Sequence, residues 1–221
     1  NLLSKISEEI EIEPVEQVRL DPFDLTEEQK ALVEGENGYY NNDVTLSDIP
    51  FDFQPPTDMD MVDTPSPTDA NSQEGTTNRI HQGLDLTPKT EFQNEPISIL
   101  ASFTGIVTKV VRGCVVGNTS CGDGYGNHIV IARQTVNLGD SNYLTEGTVH
   151  QYQTIYANLK EISSQWNEND VVQIGAVLGI LGNTGSSTAP HLHYEVNRLV
   201  VNKDKQIVKE IINPLNLIQE E

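Results

Sequence analysis

The segment APHLHYEV at residues 189–196 carries the clearest structural signal in the chain. Successive side chains of a β-strand point to opposite faces of the sheet, so His191, His193 and Glu195 would share one face. The other face would carry the remaining side chains of the motif, Leu192, Tyr194 and Val196. The pattern therefore predicts a half-buried strand that directs two imidazole rings into one space.

A second segment, RIHQGLDL at residues 79–86, places His81 and Asp85 four residues apart. Leu84 and Leu86 alternate around Asp85 as in a half-buried strand, so Asp85 faces away from the leucines. Zinc accepts histidine nitrogen and carboxylate oxygen, and catalytic zinc sites keep three protein ligands with a fourth position open. His81, Asp85 and one histidine of the HLH motif would make such a set.

The chain after residue 78 consists of short apolar runs separated by glycine and asparagine, which is typical of strands joined by turns. Examples are SILASFTGIVTKVV, GNHIVIARQ, TVHQYQTIYANL and VLGILG. The segment KEIINPLNLI near the end predicts a terminal turn of helix. We therefore predict an all-β domain, or nearly so, over residues 79–221.

Charge separates the two parts of the chain. Residues 1–78 carry 19 acidic and 3 basic side chains, whereas residues 79–221 carry 14 and 10. A net charge of −20 without a basic cluster argues against binding to nucleic acid or to an anionic membrane surface. No apolar run approaches the roughly 18 residues of a transmembrane helix.

Residues 1–78 are predicted to form an acidic, largely disordered N-terminal segment. Short helices are indicated at residues 1–13 and 26–35, and residues 38–78 contain too few apolar side chains to offset the ordering entropy. Two interpretations of residues 38–78 stay open, a solvated spacer and an acidic arm that docks on a basic protein partner or shields a cleft. Because the first residue is Asn1, the sequence is typical of a processed product or an excised piece.

The two cysteines, Cys114 and Cys121, lie in the glycine-rich stretch RGCVVGNTSCGDGYG. A disulfide that closes such a small loop contributes roughly 2–3 kcal/mol and indicates an oxidising compartment. The alternative is two reduced loop thiols. A zinc site on these cysteines is disfavoured, since no second Cys or His pair has finger-like spacing.

The segments from residue 79 to about 200 resemble the lysostaphin-like zinc metalloendopeptidases, which cut peptide cross-bridges in bacterial cell walls. The similarity rests on six segments in the family's order: HQGLDL, GIVTKVV, GYGNHIVI, IYANL, VVQIGAVLGILGNTGSST and APHLHYEV. It implies an antiparallel β-sheet groove with Zn²⁺ at its floor, and an extracytoplasmic protein that acts on peptidoglycan peptide cross-links. It further implies that His81, Asp85 and His193 bind the zinc and that His191 is a catalytic residue beside it.

One position departs from the family pattern. The family usually has Tyr, any residue, His and Leu where this chain has Tyr156 to Leu159, and that His is the second catalytic imidazole. Here the position is Asn158, whose amide cannot exchange a proton near neutral pH but can donate a hydrogen bond to an oxyanion or position a water molecule. Compensation by His150 or His128 is disfavoured, because His150 would lie roughly 25 Å along the strand.

The family resemblance, together with Asn158, leaves three candidate functions. The first is a zinc-dependent peptidase in which Asn158 takes over part of the catalytic work. The second is a zinc-binding pseudoenzyme that binds peptidoglycan or activates a partner hydrolase, and the third is a component of a surface or phage assembly.

Three further predictions concern single positions. For Glu195 a structural role is favoured, and residues 182–185 are predicted to form a tight turn before the HLH strand. Tyr125 and Tyr156 either line a groove or pack in the core.

Overall fold

The computed structural model describes residues 39–41, 43–64, 73–74, 79–136 and 144–218. The helices predicted at residues 1–13 and 26–35 lie outside these residues. None of the helices in the described part of the chain has the length and apolar character that a membrane-spanning helix needs.

The described residues are mostly strands, rich in the β-branched and aromatic side chains that fit a pleated surface. The strands are β1 Tyr39–Asn41, β2 Val62–Asp63, β3 Gln73–Glu74, β4 Arg79–Ile80, β5 Leu84–Pro88, β6 Ser98–Leu100, β7 Gly105–Val111, β8 Asn127–Gln134, β9 Val149–Leu159, β10 Glu161–Ile162, β11 Val171–Val172, β12 Val177–Ile180, β13 Leu192–Val201 and β14 Ile207–Ile212. Helix α1 is Leu215–Ile218, and short 3-10 helices span Leu46–Asp48, Thr90–Phe92 and Cys121–Gly124.

Among the described residues, nine strands form the central sheet. Seven of them follow one another in the order β1-β14-β13-β9-β8-β7-β11, and β5 and β2 lie off this path. Strand β5 lies beside the first residues of β13, on the side that β14 occupies further along, and β2 pairs with β5. The described pairings are antiparallel except that of β1 with β14. The prediction of an all-β, mainly antiparallel domain is therefore confirmed.

Strands β5 and β13 bury one face each in the main core. Leu84 and Leu86 are fully buried, as are Leu192 and Tyr194 on the neighbouring strand. The opposite face of the sheet has a smaller apolar cluster, which consists of Val130, Ile155 and Ala157 with Tyr125 against it. Alternation along β5 and β13 thus leaves Asp85 and His193 on the face away from the main core.

Residues 43–64, which we call the N-terminal strap, pack on the domain. Val44 and Val62 are buried in the main core, and Phe51 and Phe53 lie against it. Leu100 donates its backbone N–H to the carbonyl of Pro56 at 2.7 Å. The interpretation of residues 38–78 as a solvated spacer is therefore wrong for the strap, since its few apolar side chains are concentrated where they contact the sheet.

Candidate metal centre

Strand register brings together three of the side chains that the sequence indicates as metal ligands. His193 on β13 is the direct cross-strand neighbour of Asp85 on β5. His81 directly follows β4 and lies four residues before Asp85. One nitrogen or oxygen atom from each of the three lies within 4.8 Å of the others, and all three side chains are partly buried.

The three donor atoms form a compact triangle. His193 Nδ1 lies 3.0 Å from His81 Nε2 and 3.0 Å from Asp85 Oδ1, and His81 Nε2 lies 3.3 Å from Asp85 Oδ1. In a tetrahedral zinc site with ligands at 2.0–2.1 Å, two ligand atoms are separated by about 3.3 Å. The triangle therefore has nearly the dimensions of one face of a zinc coordination tetrahedron.

The protons on His193 also fit a cation at this place. Nε2 of His193 lies 3.0 Å from Glu195 Oε1, a carboxylate oxygen that can only accept, so Nε2 carries a proton. In the neutral ring Nδ1 then holds a lone pair that faces another nitrogen and a carboxylate oxygen. The contact of this lone pair with the carboxylate oxygen of Asp85 is repulsive unless a positive charge lies between the two atoms. The donor set, two imidazole nitrogens and one carboxylate oxygen, suits zinc.

Without a metal, a proton supplies that positive charge. Burial lowers the pKa of His193, but its hydrogen bonds with Asp85 and Glu195 outweigh burial and raise the pKa to about 10. Burial raises the pKa of Asp85, yet hydrogen bonds from His193 and His81 bring it well below its usual range. The pKa of Glu195, raised by burial, is brought to about 2 mainly by His193. Both carboxylates thus stay ionised around the imidazole.

His191 lies at the edge of the donor triangle. Its Nε2 is 3.8 Å from Asp85 Oδ1, and its Nδ1 lies 2.9 Å from the carbonyl oxygen of Ala189 and 3.1 Å from the hydroxyl of Ser187. Because a carbonyl only accepts, Nδ1 carries the proton of the neutral ring. The lone pair of Nε2 is therefore directed toward the candidate metal centre.

Asn158 lies near the end of β9 in a left-handed backbone conformation, with φ of 59°. Asparagine tolerates this region better than most residues. The residue is 4% exposed, and its side-chain amide donates a hydrogen bond to the carbonyl of Thr184 at 2.7 Å. Asn158 thus fastens β9 to the loop that precedes the HLH strand, a contact that no sequence pattern indicated.

The predicted tight turn at residues 182–185 contains this Thr184 carbonyl. Gly185 has a φ of 75°, and the backbone N–H of Ser186 donates to the carbonyl of Gly124 at 2.7 Å. His191 donates its backbone N–H to the carbonyl of Gly182 at 2.9 Å, which closes a loop over residues 183–190 just before β13. The predicted tight turn is therefore a wider loop, with bends at residues 185–186 and 188–190, and this loop leads into the HLH strand.

The other histidines and tyrosines from the sequence lie as follows. His150 is buried at the opposite end of β9 from Asn158, and His128 is buried on β8, with its ring 5.5 Å from that of Tyr125. Burial lowers the pKa of His128. Tyr156 is buried in the main core, where its hydroxyl accepts a hydrogen bond from the backbone of Ser102.

Sequence reasoning missed how closely Tyr125 and Asn197 are tied to the centre. Tyr125 donates its hydroxyl to Glu195 at 2.6 Å, with its ring 5.7 Å from that of His193, and Asn197 donates its amide to the other oxygen of Glu195 at 3.2 Å. The period of two along β13 places Asn197 on the face of His193 and could have indicated it. No local pattern indicates the reach of Tyr125 from its loop.

A disulfide joins Cys114 to Cys121, as predicted. Cys114 also exchanges two backbone hydrogen bonds with the side chain of Asn127, which additionally donates to the carbonyls of Leu159 and Lys160. The disulfide loop is thereby fixed to the end of β9, close to Asn158.

The chain is similar to several known proteins over part of its length. An uncharacterized metalloprotease of Buchnera aphidicola subsp. Baizongia pistaciae is 38% identical over 98 residues, which cover 44% of this chain and 22% of that protein. The DD-carboxypeptidase/endopeptidase Mpg of Neisseria meningitidis serogroup B is 32% identical over 118 residues, which cover 53% of this chain and 20% of that protein. This chain thus spans about a fifth of the length of these curated relatives.

Among solved structures, the catalytic domain of the antimicrobial peptidase lysostaphin from Staphylococcus simulans matches with a TM-score of 0.44 and 20% identity. The match covers 71% of this chain and 92% of that domain. The family model described as peptidase family M23 matches residues 79–208, more than half of the chain. The chain therefore belongs to peptidase family M23.

Proposed function

We propose that this chain is a zinc-dependent endopeptidase domain that hydrolyses peptide bonds in bacterial peptidoglycan. The observation that carries the proposal is the triangle of donor atoms from His81, Asp85 and His193, which has the size and chemistry of a zinc site with an open fourth position. Membership of a peptidase family, and a relative named as a DD-carboxypeptidase/endopeptidase, support a peptide substrate.

In this proposal the metal and His191 have separate tasks. Zinc in such a site lowers the pKa of water toward about 7 and polarises an amide carbonyl. His191 accepts the proton of the attacking water at Nε2 and delivers it to the leaving amine, while the Ala189 carbonyl keeps the other ring proton on Nδ1. Asn158 offers its second amide N–H, the one not donated to Thr184, to the developing oxyanion.

A second candidate function is a zinc-binding pseudoenzyme that binds peptidoglycan without cutting it. The buried hydrogen bond from Asn158 to Thr184 favours this candidate, because it gives the residue a structural role that needs no catalysis. The loss of one general acid–base group typically costs about 10²–10⁴ in rate. The two candidates therefore differ in turnover and agree on zinc binding.

The place of action follows from the same proposal. A peptidoglycan substrate lies outside the cytoplasm, and disulfides persist in oxidising compartments. The bond between Cys114 and Cys121 supports an extracytoplasmic location.

The test combines zinc content with cleavage of purified peptidoglycan. Wild type should bind about one zinc per chain, His81→Ala and His193→Ala should bind none, and His191→Ala should keep zinc but lose cleavage. The matched control is His150→Gln, a buried histidine at the far end of β9, which should keep the zinc.

Asn158→His separates the two candidates. Cleavage by wild type that changes less than about tenfold in this variant supports the peptidase. A silent wild type whose Asn158→His variant cuts supports the pseudoenzyme, and a well-folded wild type without zinc contradicts both.

A further inference from the structure

Glu195 is a fully buried carboxylate next to the candidate metal centre. Burial of a charged group is costly unless the group is paired and hydrogen-bonded. Three side chains donate to Glu195: His193 through Nε2 at 3.0 Å and Tyr125 at 2.6 Å, both to Oε1, and Asn197 at 3.2 Å to Oε2. This many donors to one buried carboxylate hold it in a single orientation.

The donors come from separate parts of the fold. His193 and Asn197 lie on the same face of β13, on either side of Glu195, whereas Tyr125 follows the 3-10 helix Cys121–Gly124. With Oε1 and Oε2 both engaged, rotation of the carboxylate would break at least one of these bonds. The position of Oε1 in front of His193 Nε2 is therefore fixed from two directions.

Gly83, the glycine of the HQGLDL segment, packs against the same imidazole and carboxylate. A Cβ atom on Gly83 would lie 2.9 Å from His193 Cε1, 3.0 Å from Glu195 Cγ and 2.7 Å from the carbonyl oxygen of Tyr194. Only a glycine lets the backbone before β5 approach the imidazole and the carboxylate so closely. Packing by Gly83 and hydrogen bonding by Glu195 thus restrict the same ring.

We propose that Glu195 is a positioning residue, which holds the proton of His193 on Nε2 so that the Nδ1 lone pair binds the metal. The inference rests on the proposed zinc site and goes beyond it, because it assigns the choice of ring nitrogen to a residue that does not contact the metal. A carboxylate that accepts the second N–H of a histidine ligand fixes its orientation and increases its basicity as a ligand. Tyr125 and Asn197 act one step further out by holding Glu195.

The test measures the zinc dissociation constant of the whole chain by competition with a chromophoric chelator. Glu195→Gln should weaken zinc binding about 10–100-fold, the usual effect of losing such a partner. Tyr125→Phe should weaken it several-fold, because the carboxylate remains but loses one donor. The matched control is Glu210→Gln, a buried carboxylate that pairs with Arg198 on β13, and it should keep the wild-type zinc affinity.

A spectroscopic measurement separates positioning from support of the fold. The ¹⁵N shifts of His193 in the zinc-loaded protein should show a protonated Nε2 and a metal-bound Nδ1 in wild type, and a mixture in Glu195→Gln. A folded Glu195→Gln with zinc affinity within twofold of wild type contradicts the inference and leaves the zinc site standing. Should Glu195→Gln not fold, Tyr125→Phe with unchanged affinity contradicts it equally, whereas wild type without zinc overturns the proposed function itself.

Discussion

Replacement of Phe51 by alanine should destabilise the domain, although this residue lies before the part of the chain that matches the family. Its ring packs edge-on against Phe103 at 5.2 Å and Tyr152 at 5.1 Å, and the guanidinium of Arg133 lies 4.5 Å from its centre. Each aromatic pair contributes about 0.5–1.5 kcal/mol beyond burial, and an exposed cation–π contact about 0.5–1 kcal/mol. Because Phe51 is only partly buried, we expect a loss of about 2–3 kcal/mol, below the full 3–5 kcal/mol of a core Phe→Ala change.

Urea unfolding of the zinc-saturated protein, followed by circular dichroism, measures this loss. The control is Leu46→Ala in the same strap, whose side chain is 46% exposed and should cost less than about 0.5 kcal/mol. Zinc content should be unchanged in both variants, because neither residue contacts the metal centre. If Phe51→Ala unfolds at the same urea concentration as Leu46→Ala, the strap does not contribute to the stability of the domain and the reasoning fails.

Three further predictions concern the disulfide, the turn and the pH dependence of zinc binding. Replacing Cys114 and Cys121 by serine should lower the free energy of unfolding by about 2.5 kcal/mol, from the loop entropy of an eight-residue ring, and wild type in reductant should match it in the same urea titration. Gly182→Ala should cost about 3 kcal/mol, because its Cβ would lie 2.0 Å from the backbone nitrogen of Lys160, whereas Gly113→Ala meets no atom and pays only about 1 kcal/mol for its positive φ. The raised pKa of His193 means that a proton occupies the metal-free site below pH about 10, so zinc must displace it. The zinc dissociation constant should therefore fall about tenfold per pH unit between pH 7 and 9, and a constant that does not change over this range contradicts that protonation state.

Periodicity predicted the strands of the centre but not their surroundings. Alternation correctly placed His193 opposite the apolar face of β13, and Asp85 opposite its flanking leucines. Successive side chains of a strand point to opposite faces, so burial of the leucines determines where the residues between them point. Ligand chemistry grouped Asp85 with one histidine of the HLH motif, but the choice of His193, more than 100 residues away along the chain, came from the family resemblance. Tyr125 reaches Glu195 from a loop, and no spacing rule connects a loop residue to a distant strand.

The strap shows a different limit of sequence reasoning. Val44, Phe51 and Val62 lie in a region rich in aspartate, proline, threonine, serine and asparagine, so composition over residues 38–78 predicts a segment without a core of its own. These side chains instead complete a core that the rest of the domain supplies. Composition measures what a segment can bury by itself, and it does not register the apolar surface that a neighbouring sheet leaves open.

Because His193 and Asp85 are direct cross-strand neighbours, metal binding depends on the register between β5 and β13. A shift of one residue between β5 and β13 would turn Asp85 toward the apolar core and leave a leucine facing the histidines. Such a misaligned sheet would lack one of its three donor atoms and would hold zinc poorly. Zinc binding would therefore stabilise the correct register relative to the shifted one. The rate of zinc uptake during refolding would show when these two strands come into register.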